Sequence, residues 1–312
     1  MFLKVAVSSL LSRKGSAIMT LMAISVAIFV LLGIEQIRQQ ARDSFASTVS
    51  GVDLIVGAKT GSLNLLLYSV FRIGSPTDNI SWQAYRDIAD SDDVAWAIPI
   101  SLGDSHEGYR VVGTTQAFFE HFSFGKKRSL AFFEGEAFEG TFDAVLGSEV
   151  ASALGYSVGT EIILAHGLAS TSFTMHDNQP FVVVGVLAPT GTPVDQTIHV
   201  RLEGIEAMHA GGSTVQIGAF APANPPPTDF LEPESITAFM LGLKSRMSTF
   251  NVQRQINQFA GEPLMAILPG VALSELWQMM SMFENVLRLV SALVLLAAVL
   301  GMGAVLLASI RE

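Results

Sequence analysis

The residues best suited to chemistry are the histidines. His166, His176, His199 and His209 fall in one half of the central region beside Asp177 and Asp195, and imidazoles with carboxylates are ligands that suit zinc. None of the four stands in an H-x-x-x-H pair, so surface or hydrogen-bonded histidines are the expectation and no metal ligand is assigned. A phosphate-binding loop is absent. Gly125-Lys126-Lys127 has Glu120 where the upstream glycine is required and no Ser or Thr after the lysine. No G-x-S-x-G elbow occurs, and without cysteine the chain has no thiol nucleophile, disulfide or iron–sulfur ligand. Catalytic residues, cofactor-binding residues and cofactors are all expected to be none. One stretch is dense in aromatics: Phe118, Phe119, Phe122, Phe124, Phe132, Phe133 and Phe138 flank the basic Lys126-Lys127-Arg128. Packing into a subdomain core is the expected use; a surface for an apolar substrate or partner is the alternative.

The elements that would carry these residues are set by hydropathy. Half of the 312 residues are apolar and the mean hydropathy is +0.45, too high for an ordinary soluble enzyme. The last long apolar run, residues 286–310, has no charge from Leu289 to Ile310. As a helix that uncharged part reaches about 33 Å, enough to cross a bilayer core. Ala297, Gly301, Ala304 and Ala308 recur at spacings of four, three and four, a small-residue face of the kind on which helices approach closely in lipid. An earlier uncharged run covers residues 17–34, about 27 Å as a helix and near the lower limit for a span. Cleavage as a signal peptide is not expected, because the nearest small-x-small site, Ser44-Phe45-Ala46, lies ten residues beyond the run and across several charges.

Charge sets the orientation. Residues 1–16 form a short, weakly basic amphipathic segment with Lys4, Arg13 and Lys14 and no acid, which places the N-terminus in the cytoplasm and the middle of the chain outside. The net charge is −10, and its acidic excess falls between Glu35 and Asn285. That argues against nucleic acid as a partner, since phosphate affinity needs cations.

Helical periodicity does not stop at the expected membrane boundaries. Ile34, Ile37, Ala41, Phe45 and Thr48 continue one stripe, and Leu273, Leu276, Trp277, Met280, Phe283 and Leu287 form another before the second span. Helical stalks over about 35–50 and 271–285 are therefore expected; the alternative is that the stripes merely dock the central domain on the membrane. Arg288 at the outer edge is placed to snorkel or to pair with Glu284 one turn earlier. Within 35–285 a mixed α+β domain is expected. Strand patterns cover Val52–Val56, Val94–Leu102, Tyr109–Gly113, Glu161–Ala165, Phe181–Leu187, Thr197–Leu202, Ile236–Leu243 and Leu264–Leu268. Helices are expected over Ser81–Ala89, Ser148–Leu154, Leu202–His209 and Ser248–Phe259. Ser81 and Ser148 are the candidate caps, and Gly155 is a stop. Ala221–Glu234, with five prolines, reads as a surface loop.

Taken in order, these features resemble the permease subunits of ABC transporters of the macrolide-export (MacB-like), lipoprotein-release and FtsX-like type, the mechanotransmission group. The likeness is carried by Leu3-Lys4 to Arg13-Lys14, by Gly51–Lys59 (GVDLIVGAK), and by Val145–Ala151 with Gly155 and Gly159. Phe181–Leu187 (FVVVGVL) and Leu300–Glu312 (LGMGAVLLASIRE) complete it. The resemblance implies integral membrane α-helical spans in a bacterial inner membrane, joined by helical stalks to a periplasmic α+β domain of MacB-like core type. It implies a separate ABC ATPase subunit, a second permease copy forming a dimer, and a periplasmic partner protein; the lipid bilayer is the remaining partner. Residues 311–312, Arg311 and Glu312, would start the cytoplasmic coupling region contacting the ATPase. The resemblance also implies third and fourth spans after that point, which this sequence lacks. Two other readings fit the topology: a two-span sensory receptor with a periplasmic ligand-binding domain, and a metal-linked transporter component using the histidines.

Overall fold

The computed structural model describes residues 14–48, 50–166, 180–212 and 232–311. They fall into two compact units. One comprises residues up to Asp43 together with those from Glu275; the other is a lobe, Ser44–Ser274.

The first unit starts with α1 (Lys14–Ser47), one unbroken helix of 34 residues. No proline interrupts it, so nothing removes a backbone bond where the apolar run gives way to the amphipathic stripe. The segment before Lys14, read as amphipathic, lies outside the described residues.

The lobe is built on a mixed sheet. β1 (Leu54–Ala58) is buried along its whole length and is followed by α2 (Ser62–Ser69), which seats Leu65, Leu66 and Tyr68 in the core. β2 (Ile80–Ser81) leads into α3 (Trp82–Ala89). As the sequence suggests, Ser81 caps this helix: its Oγ accepts from the Ala84 amide at 3.2 Å. Glu262 accepts from the Ser81 amide at 3.1 Å and from its hydroxyl at 3.2 Å, adding negative charge at the positive helix end. Ser81→Ala is expected to cost about 1 kcal/mol, read as a Tm loss of about 2–4 °C in thermal unfolding of a lobe this size.

β3 (Val94–His106) is the longest strand. Its first half pairs with a late strand, and its second half forms a hairpin with β4 (Tyr109–Thr114). Glu107 and Gly108 both take positive φ, the two-residue turn whose twist matches the flanking strands. There follow α4 (Ala117–His121), the small hairpin of β5 (Ser123–Phe124) and β6 (Arg128–Ser129), then β7 (Phe132–Gly135) and β8 (Asp143–Leu146). α5 (Ser148–Leu154) is capped not by Ser148, as the sequence suggests, but by Gly147. Ser148 is already inside the first turn. Gly155 ends the helix at φ 69°, a conformation glycine adopts without strain.

The expected strand over Glu161–Ala165 divides into β9 (Glu161–Ile162) and β10 (Ala165–His166), which join different partners. β11 (Phe181–Leu187), β12 (Thr197–Arg201) and α6 (Leu202–Gly212) complete this half. Most of the proline-rich stretch lies outside the described residues, but its end is anchored: Glu232 pairs with Arg86 at 2.8 Å, and the Glu234 carbonyl accepts from the Trp82 amide. β13 (Ser235–Ile236), β14 (Ala238–Leu243), α7 (Thr249–Asn257) and β15 (Leu264–Ile267) return the chain to β1.

The main sheet runs β15-β1-β14-β3-β4-β12-β8-β11-β7, with β10 beside β3 and β9 beside β11. β12 with β4 and β8 with β11 are parallel; the other pairs are antiparallel. β15 is an edge whose outward groups are answered by α7. Asn257 Oδ1 accepts from the Ala266 amide at 2.8 Å, and Gln253 donates to the Ala266 carbonyl at 3.0 Å. This satisfies groups that would otherwise invite another strand.

The last helix, α8 (Pro269–Arg311), spans 43 residues. Among the described residues its portion Pro269–Gly301 is long and apolar enough to cross a membrane, while α1 carries the shorter apolar stretch Ile24–Ile37.

Candidate functional site

Within the lobe the aromatic stretch and His199 turn out to be one packing unit. His199, on β12, is fully buried. It stacks on Phe118, ring centroids 4.8 Å apart, and meets Phe119 edge-on at 6.1 Å. Phe118 stacks in turn on Phe122, and Phe119 packs on Phe132 and Phe138. Burial pushes the His199 imidazole down to about 3, with the Arg72 charge acting the same way and the Val145 backbone opposing both. The ring is therefore neutral in the fold and serves as a core aromatic. Phe133 alone of the seven phenylalanines points out, 77% exposed. Arg128, from the basic turn, lies over the Phe124 ring at 4.6 Å.

The other described candidates stand on separate elements. Asp195 accepts from the amides of Thr190 and Gly191 and from the Thr190 hydroxyl, a turn-forming role. His166 stands on β10 opposite Asp104 of β3, His209 lies on α6, and His176 and Asp177 lie outside the described residues. Among the described residues no group of three His, Asp or Glu side chains is arranged to hold a metal ion. Two histidines outside the sequence-based set have defined roles. The His106 ring bridges the Ile163 carbonyl and the Tyr156 hydroxyl, at 2.7 and 3.0 Å. His121 stacks flat on Trp96.

Among the described residues of the lobe lies a small cavity of about 150 Å³, with Asn79, Ser101, Asp104, Leu202, Glu206 and Ser235 in its wall. Burial, with Glu234 adding to it, holds the Glu206 carboxyl above the usual carboxylate range. The space suits a polar group of a few atoms.

In the other unit an ion pair joins the two long helices. Arg288 Nη2 donates to Glu35 Oε2 at 3.1 Å. From the sequence Arg288 can snorkel or pair with Glu284 one turn away; the fold brings a carboxylate 253 positions earlier within reach. Beside the pair, α1 and α8 flank an apolar groove of about 570 Å³. On α8, Ala297, Gly301 and Ala304 are on the accessible surface; the side chains of Ala308 and Arg311, and Glu312, lie outside the described residues.

The sequence profile of the MacB-like periplasmic core domain matches residues 17–259. The chain belongs to that family. Its lobe is thus a MacB-like periplasmic domain of the ABC transporter permease family, and the mixed α+β architecture expected from the sequence is the one present. Two solved structures are similar. The periplasmic region of MacB from Actinobacillus actinomycetemcomitans is 8% identical, with a TM-score of 0.45 over 73% of this chain and 94% of that one. The extracellular domain of the noncanonic ABC-type transporter YknZ from Gram-positive bacteria is 11% identical, with a TM-score of 0.40 over 69% and 98%. No curated protein matches the sequence. Family membership rests on the profile, which spans more than half of the chain.

Proposed function

We propose that this member of the MacB-like family is a permease subunit that passes movement, generated by ATP hydrolysis in a separate ABC ATPase, to its periplasmic lobe. The lobe then exports, extracts or hands on a substrate already outside the inner membrane. The observation that carries this reading is the length of the two helices. α1 and α8 have 34 and 43 residues, against the roughly 20 that a bilayer requires, and each keeps unbroken backbone hydrogen bonding past the end of its uncharged run. A helix without a break transmits a push; a flexible tether does not.

In this reading α1 and α8 cross the inner membrane at residues 17–34 and 286–310, with the N-terminus in the cytoplasm. Residues 35–50 and 271–285 serve as stalks. Ala297, Gly301, Ala304 and Ala308 pack against a further membrane helix, from this permease or its second copy, and Arg311 and Glu312 lead to the ATPase contact. The chain's own residues perform no bond chemistry. Purification of the tagged chain from its native membranes in mild detergent is expected to retain an ABC ATPase at near-stoichiometric yield. A preparation carrying a signalling partner and no ATPase would replace this reading with the sensory-receptor one.

A further inference from the structure

Glu35 and Arg288 are the boundary charges of the two long helices. Residues 15–34 hold no ionisable side chain, and Glu35 is the first after them; Arg288 precedes the uncharged run that lasts until Arg311. The structure brings these two to 3.1 Å, with side chains 42% and 51% exposed. Apolar helices in lipid gain nothing from one axial register over another unless side chains interlock or a polar contact selects it. Interlocking is weak here. Met19, Met22, Val26 and Val30 of α1 face Val290 and Val294 of α8 across a groove of about 570 Å³.

We propose that the Glu35–Arg288 pair sets the axial register of the two helices, making these two residues positioning residues for coupling. The inference rests on the coupling function proposed above and names the contact that lets both helices move as one. Flexible side chains absorb a slide of about one residue, 1.5 Å. A slide of one turn, about 5.4 Å, breaks the pair.

The absence of native cysteine permits a direct test on the full chain in membranes. Ala27→Cys is combined with Val290→Cys or with Val294→Cys, one turn apart on α8, and the ratio of the two disulfide yields reports the register. The unmodified pair is expected to give a strongly unequal ratio. Glu35→Gln or Arg288→Gln should move it toward unity by threefold or more, and the exchanged pair, Glu35→Arg with Arg288→Glu, should restore it. A ratio that stays the same in both neutral variants overturns the proposal. So does an exchanged pair as disordered as the neutral variants, because each side chain would then be acting alone. The measurement needs no ATPase, so a failure to recover an ATPase would remove the coupling function and leave this result standing.

Discussion

Gly147→Ala is expected to destabilise the lobe by about 3 kcal/mol or more, a Tm loss on the order of 10 °C in a domain of this size. Gly147 sits where β8 turns into α5, and its amide donates to the Thr197 carbonyl at 2.9 Å. A Cβ there would fall inside the contact shell of the main-chain carbonyls of Val194 and Asp195. Neither can swing aside, because both belong to the 3-10 turn Pro193–Gln196 that feeds β12. Accommodation requires α5 to part from that turn, or β12 to part from β8, and β12 carries His199 into the aromatic core. Gly155→Ala, by contrast, imposes only the left-handed backbone penalty of about 1 kcal/mol, since nothing lies near its would-be Cβ. Gly103→Ala should be close to neutral, with open space and an ordinary backbone. Thermal unfolding of the three variants in one buffer should rank them in that order. Equal losses at Gly147 and Gly155 would show that the close approach is relieved at little cost.

The same turn explains part of what the sequence discloses. Of that turn only the helix is legible in the sequence, with its cap placed one residue late at Ser148; β8 before it has four residues, too few for a period to show, and the close approach at Gly147 is a tertiary contact. β11 is read to the residue, because Phe181–Leu187 is an apolar run, interrupted only by Gly185, after a proline. Legibility fails where tertiary contacts override local pattern. β3 reads as a strand only to Leu102, yet continues to His106, because Gly103, Asp104 and Ser105 have no alternation and are held by β4 and β10. α2 is missed because a leucine run of eight residues carries no decisive period, and burial of Leu65, Leu66 and Tyr68 makes it a helix. Of the four histidines, His199 is the one whose side chain is described. It enters the core, where ring area and not metal affinity decides its place. The length of both long helices is legible in the continued stripes. The partner of Arg288 is not, since helical spacing proposes only residues on the same helix.

Lowering the pH from 8 to 5 is expected to remove about 2 kcal/mol of lobe stability through His199. In the unfolded chain the imidazole titrates near its ordinary value of about 6.5. In the fold, burial first and the Arg72 charge second hold it down to about 3. Between those values the unfolded state binds the proton and the folded state does not, so stability is full above about pH 6.5 and falls as pH drops toward 3. The Val145 backbone favours the charged ring but does not offset burial and the Arg72 charge. Glu206 works in the opposite sense. Its raised carboxyl binds a proton more readily in the fold, so it adds stability as pH falls, and Glu206→Gln should deepen the acid loss. His199→Leu discriminates between these terms. It gives up stacking and is expected to lower stability at pH 8, yet its stability should change by less than 1 kcal/mol between pH 7.5 and 5. Urea unfolding at the two pH values measures the difference directly. A leucine variant that keeps the full acid slope would assign that slope to the carboxylates. A slope lost only in His199→Leu identifies a buried neutral ring as the reason this lobe is weakened by acid.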